Sequence, residues 1–262
     1  MVTSTTDKLR VETVENTVVV TINNPPANTW DEESLVGLRQ LVRDCERDSA
    51  VYALVFVGQG DKFFSAGADL NVFAAGDKDV ARSMADSFGG AFETLAAFRG
   101  VTIAAINGYA MGGGLECALA CDIRIAEEQA QMALPEATVG LLPCGGGTQN
   151  LAWTVGEGWA KRMILCGERV DARTAEKIGL VEEIVGKGES KDRALALAAS
   201  VSKQSPPAVA ASKSLIQSAR SGNIAGAYTI ERDKFVGLFD TRDQTEGVNA
   251  FLEKRSPEWT NS

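Results

Sequence analysis

The chain has 262 residues, 45% of them hydrophobic, which is enough apolar material for one large domain with an appendage or for two small domains. Thirty-five acidic against 26 basic residues give a net charge of −9, which argues against a nucleic-acid backbone as the main partner. No apolar run approaches the roughly 18 residues of a membrane-crossing helix. There is no histidine, which removes Ser-His-Asp and Cys-His nucleophilic mechanisms, histidine acid/base chemistry and the usual zinc sites. Chemistry must fall to carboxylates, backbone dipoles, Lys, Tyr or Cys.

Residues 1–15 are polar and mixed in charge, without a signal- or transit-peptide pattern, so the expected location is the cytoplasm. Strand character runs over residues 8–15 and 17–23, with Glu15 and Asn16 as the turn. Asn24-Pro-Pro-Ala-Asn28 breaks the pattern. Thr29 or Asp31 then caps a helix to about residue 48, with Leu35, Leu38, Leu41 and Val42 at helical spacing. Residues 51–57 read as a buried strand closed by Gly58-Gln-Gly60. Phe63-Phe-Ser-Ala-Gly-Ala-Asp-Leu70 is a turn of small residues leading into a helical region, and a helix is expected over residues 79–98.

The stretch from Gly108 to Asp122 follows a β-branched strand over residues 101–106. Gly112, Gly113 and Gly114 meet an apolar run that reads as a buried helix. A helix N-terminus after a side-chain-free turn leaves backbone N–H groups unpaired and adds partial positive charge, which suits a phosphate or a transient oxyanion. Glu116 lies inside this apolar run. A carboxylate there must be paired, protonated or working, because an unpaired buried charge is expensive.

Residues 122–126 are another short strand, followed by Leu134-Pro-Glu136 and by a third glycine cluster, Gly145 to Gly147, that opens a further helix. These glycines lack the Gly-Lys-Ser/Thr of a phosphate-binding loop and read as close-packing positions. A helix over 172–178, ended by Gly179, precedes a closing strand over 180–185. Helices then follow without strands over 192–203, 207–218, 224–238 and 245–254. This divides the chain into a core of residues 1–191 and a helical region of residues 192–262 that packs on the core or on a neighbouring subunit. The five cysteines follow no metal or redox spacing, and Cys117 and Cys121 read as packing residues, as do Trp30, Trp153, Trp159 and Trp259.

Phe64-Ser-Ala-Gly-Ala-Asp-Leu70, Asn107-Gly-Tyr-Ala-Met-Gly-Gly-Gly-Leu-Glu116, Leu134-Pro-Glu136 and Gly145-Gly-Gly-Thr-Gln149 resemble, in order, the signatures of the crotonase (enoyl-CoA hydratase/isomerase) superfamily. The tail from Glu246 to Arg255 is similar to the family's C-terminal helix. The resemblance spans residues 10–259 and implies an α/β fold, a spiral of ββα units, with a C-terminal helical region used in trimer assembly, two trimers commonly stacking as a hexamer. It also implies acyl-coenzyme A thioester substrates, with no separate cofactor because coenzyme A enters with the substrate. No metal, nucleic acid or membrane partner is implied.

By the same resemblance, the backbone N–H groups of Ala68 and Gly113 stabilise the thioester enolate. Hydratases of the family carry two glutamates, matched here by Glu116 and Glu136, whereas isomerases usually keep only the second. Glu116 then positions and activates water, and Glu136 donates the Cα proton. Coenzyme A is expected near Ala27, Ala66, Asp69 and Leu70, with Phe251 and Lys254 reaching it from an adjacent subunit. The acyl pocket is expected between Val72, Phe73, Ala74 and the helix over residues 79–98. The function implied is an enoyl-CoA hydratase. The alternatives are a Δ3,Δ2-enoyl-CoA isomerase, a hydratase specialised for a sulfur-bearing or branched enoyl-CoA, and, in a different class, a catalytically idle binding module.

Overall fold

The chain opens with an antiparallel hairpin of β1 (Leu9–Val14) and β2 (Thr17–Ile22), as its alternating and β-branched runs require. The computed structural model describes residues 2–222 and 224–262. Asp31 caps α1 (Glu32–Arg47) in a capping box with Ser34, and its carboxylate also pairs with Lys8. Three strand–strand–helix units follow. They are β3 (Ala53–Gly58), β4 (Phe63–Ser65) and α2 (Lys78–Ala96); β5 (Val101–Ile106), β6 (Tyr109–Met111) and α3 (Gly113–Ala120); and β7 (Ile123–Glu127), β8 (Gln131–Ala133) and α4 (Gly147–Leu165), which kinks at Gly156.

In each unit the first strand joins one sheet and the second joins another. The larger sheet has the order β1-β2-β3-β5-β7-β10, parallel from β2 onward, with β10 spanning Glu183–Val185. The smaller has the order β4-β6-β8-β9, with β9 (Val170–Asp171) antiparallel to β8. Repetition of this step makes the chain a spiral of ββα units. The fold class read from the sequence is therefore the observed one. The short strands β6, β8 and β9 were not expected, because two or three residues carry no readable alternation.

Every residue of β3 is buried, because both faces of the parallel sheet are covered. One face carries the main core, which includes Phe56, Phe64, Phe88, Phe92 and Trp30. On the other, Val19, Val55, Ile103 and Ile125 pack against Ala194 and Ala198 of α6 (Ser190–Val201). The first helix of the expected C-terminal region thus lies directly on the sheet. Lys213 of α7 (Pro206–Ser218) donates to the Gly100 carbonyl at 2.9 Å and pairs with Asp122 at 2.7 Å, tying the next helix to the core. Beyond it lie α8 (Ile224–Gly237) and α9 (Arg242–Glu253). The short α5 (Ala172–Lys177) links β9 to β10.

Trp30 is fully buried, but Trp153 departs from its reading as a packing residue: it is 56% exposed, with the Arg220 guanidinium 6.0 Å from its ring centre. Its place on the outer side of α4, a helix with few buried residues, explains the difference.

Asn107 joins the two sheets where β5 turns toward β6. Its Nδ2 donates to the carbonyls of Gly58 (2.8 Å) and Gly60 (2.7 Å), and its Oδ1 accepts from the Gly58 N–H at 3.0 Å. Replacing it with Ala leaves the two buried backbone groups of Gly58 without this partner, which costs about 1–3 kcal/mol for each group left dry, while the exposed Gly60 carbonyl can turn to water. Asn107→Ala is expected to lose at least about 2 kcal/mol in denaturant unfolding, and a loss below about 0.5 kcal/mol would show that water substitutes freely there.

Candidate active site

The β4–α2 connection and the β6–α3 turn meet at one side of the smaller sheet. Gly67 has φ +89, and a Cβ there would stand 2.7 Å from the Met111 carbonyl and 3.0 Å from the Gly113 nitrogen, so only glycine lets the two turns touch. Trp30 N–H donates to Gly67 O and Asp69 N–H to Trp30 O, which fixes the strip on both sides of Ala68. Among the described residues neither the Ala68 N–H nor the Gly113 N–H has an acceptor within the chain. Gly113 is the first residue of α3, where N–H groups have no intrahelical partner. Two free donors, one backed by a helix dipole, therefore border one cavity.

That cavity has a volume of about 630 Å³ and is mostly apolar; Ala68, Gly113, Glu116 and Glu136 all line it. Ala66 and Leu70 lie on its wall as well, and Ala27 adjoins it through the 2.9 Å bond from Ala66 N–H to its carbonyl. Asp69 is turned to structural work, accepting from Asn71 N–H at 3.0 Å to cap the 3-10 turn Leu70–Phe73. Phe73 lines the cavity, and Val72 and Phe73 also pack against the core. Phe251 and Lys254 are not among the lining residues of the single chain: Phe251 is 82% exposed and Lys254 ends α9 in a left-handed conformation.

The two carboxyl groups are set up differently. Glu116 is 2% exposed, and its Oε1 accepts N–H bonds from Gly145 (2.7 Å) and Gly147 (2.8 Å). Burial raises its pKa, while the two N–H donors act the other way by favouring the ionised form. Glu136 opens the 3-10 turn Glu136–Val139, and its Oε2 is buried without a partner. Burial, with the charge of Glu116 adding to it, pushes its carboxyl up to about 7. The Glu136 carboxyl, raised to about 7, is suited to give a proton near neutral pH, and the two N–H donors favour the form of Glu116 that takes one.

The glycine cluster after Pro143, read from sequence as a packing device, is thus the hydrogen-bond partner of Glu116. A Cβ at Gly147 would lie 2.8 Å from Glu116 Oε1, so the carboxylate occupies the space a side chain would need. The signal was the buried carboxylate itself, which required donors that no nearby side chain supplied. Cys144 also lines the cavity, where burial and the two carboxylates push its thiol up to about 11.

With this geometry, the family whose description is enoyl-CoA hydratase/isomerase matches residues 12–262, and the chain belongs to it. Over 255 residues it is 37% identical to the 2,3-dehydroadipyl-CoA hydratase of Escherichia coli K12, covering 96% of this chain and 98% of that one. It is 36% identical to the short-chain-enoyl-CoA hydratase of Clostridium acetobutylicum, covering 92% of each. Among solved structures, Pseudomonas aeruginosa DspI superimposes with a TM-score of 0.95 at 67% identity over 97% of both chains. An enoyl-CoA hydratase from Bacillus anthracis does so with a TM-score of 0.94 at 31% identity, over 98% of this chain and all of that one. Among the described residues no helix is long and apolar enough to cross a membrane.

The unequal setting of the two carboxyls can be read directly. Infrared titration is expected to show one carboxyl band changing near pH 7, absent in Glu136→Gln and moved downward in Glu116→Gln, since the neighbouring charge contributes to the raised value. A band that survives Glu136→Gln would assign the raised group elsewhere.

Proposed function

We propose that this protein is an enoyl-CoA hydratase, adding water across the double bond of a trans-2-enoyl-CoA to give the 3-hydroxyacyl-CoA. The observation that carries this reading is a pair of carboxyls in one cavity beside two free backbone donors, Glu116 held by two N–H groups and Glu136 with an oxygen that none reaches. The relatives named as hydratases support the same reaction type.

In the reaction, the substrate carbonyl oxygen accepts from the N–H groups of Ala68 and Gly113. The Glu116 carboxylate takes a proton from water as the water oxygen bonds to Cβ. The π electrons of the double bond move toward the carbonyl, and the enolate oxygen draws more from the two donors than the ground-state carbonyl does. The Glu136 carboxyl then protonates Cα, the enolate collapses, and Glu136 is left ionised and Glu116 protonated. Exchange with solvent resets the pair. Each oxyanion donor is worth on the order of 10²–10³ in rate, and each acid/base group on the order of 10²–10⁴.

Coenzyme A enters as part of the substrate, so this scheme uses no resident cofactor; its adenine end lies near Ala27, Ala66, Asp69 and Leu70 in this reading. Phe251 and Lys254 meet it from a neighbouring copy in a trimer or a pair of trimers. Supporting that assembly, α8, α9 and the turn between them expose Phe235 (62%), Val236 (66%), Phe239 (58%), Phe251 (82%) and Leu252 (71%), more apolar surface than a lone chain ordinarily leaves in water. The five cysteines are all free, which fits the reducing cytoplasm.

Crotonyl-CoA is expected to lose its conjugated-thioester absorbance with the wild type, and Glu116→Gln and Glu136→Gln each to slow this by on the order of 10²–10⁴. Conversion of a 3-enoyl-CoA that needs Glu136 alone, with crotonyl-CoA untouched, would replace hydration by isomerisation. For the assembly, sedimentation is expected to give three or six times the 27.7 kDa chain mass, and Phe235→Asp with Phe239→Asp to lower it; a wild-type monomer would refute the trimer.

A further inference from the structure

The cavity is larger than a four-carbon acyl group requires. Taking about 30 Å³ for each water-sized group, the four carbons, oxygen and sulfur of a crotonyl thioester fill about 180 Å³. The cavity of about 630 Å³ therefore has space left for further acyl carbons. Most of its lining is apolar.

One wall has a direction. Phe88, Ala85 and Ala81 occupy one side of α2 at spacings of three and four residues. Phe88 is 2% exposed and lies against Gly113, whose added Cβ would meet its ring at 2.7 Å. Ala85 is half-buried and Ala81 is exposed, so the wall runs outward from the oxyanion donor to solvent. Leu141 (41% exposed) and Leu142 (68%) line the same cavity, large apolar side chains left wet.

We propose that this wall carries the acyl tail of a medium-chain thioester, and that Ala85 and Ala81 set how many carbons it holds. The proposal rests on the hydratase reading and specifies its substrate class. From Phe88 to Ala81 is a rise of about 10 Å along the helix. A zigzag chain advances about 1.3 Å per carbon, given a carbon–carbon bond of about 1.5 Å, so about eight carbons lie along the wall. Longer tails extend into water beyond Ala81 and gain nothing more. The preference therefore rises with chain length and then levels off.

A fully buried methylene is worth about 0.8 kcal/mol, or about fourfold, and a half-buried one about twofold. From a four-carbon to an eight-carbon 2-enoyl-CoA, kcat/KM is expected to rise about sixteenfold or more in the wild type and to level off past about eight carbons. Ala85→Phe is expected to bring the eight-to-four-carbon ratio near or below one. Ala81→Leu, at an exposed position that any apolar side chain tolerates, reduces the gain only for the longest tails. Calorimetric binding of butyryl-, octanoyl- and decanoyl-CoA, which cannot be hydrated, is expected to follow the same order. Chain-dependent binding of these without hydration of any enoyl-CoA would keep the wall and overturn the hydratase reading. Active hydration with a wild-type ratio near one, or an Ala85→Phe variant that lowers both chain lengths equally, would overturn the wall.

Discussion

A carboxylate buried in an apolar helix is the constraint from which the rest of the site follows. Glu116 cannot stay ionised at 2% exposure without donors, and it takes them from the Gly145 and Gly147 backbone. That requirement brings the start of α4 against α3. It forbids a side chain at Gly147 and turns the chain between Glu136 and Gly145 around the cavity mouth. The same turn holds Glu136 where no donor reaches its Oε2, so its proton stays on to higher pH. One hydrogen-bonding arrangement thus yields two carboxyls of unequal character.

The spiral makes this arrangement possible at modest structural cost. Each ββα unit delivers a turn to the same side of the smaller sheet. The first turn brings the Ala68 N–H, the second the Gly113 N–H with Glu116 one helical turn further, and the third brings Glu136 and the glycines that hold Glu116. The larger sheet keeps these turns in register, because its parallel strands are buried on both faces and cannot slip without exposing a full face of apolar side chains. Asn107 fastens the step between the sheets at the unit that carries the central helix. Rigidity comes from the sheets, and the chemistry is carried by the turns.

The C-terminal helices obey a different logic. Lys213 and Gln217 of α7 hydrogen-bond to the core, and Asp243 is buried beneath the chain end by N–H bonds from Thr260 and Asn261. Past these anchors, α8 and α9 expose large apolar side chains to water. A helix whose outward face is this apolar is stable in solution when something covers it.

Much of the fold was legible because its signals are local. The run in β3, the Asp31 cap of α1 and the glycine turn before α3 each declare their element within a few residues. Glu116 stood out by its apolar surroundings, whereas Glu136 was singled out by the resemblance alone. The resemblance to a known family, carried by motifs in order, joined them into one site. What the sequence by itself determined was therefore the set of elements and the residue types available for chemistry, with histidine absent. Only the tertiary structure decided that the third glycine cluster serves Glu116 as well as close packing, that Glu136 keeps an unpartnered oxygen, and that Trp153 faces water. Short strands such as β6 and β8 likewise exist through their neighbours. The physical reason is that hydrogen-bond partners, dielectric surroundings and cavity shape are set by residues brought together from distant parts of the chain. Helix caps and β-branched runs act on their immediate neighbours.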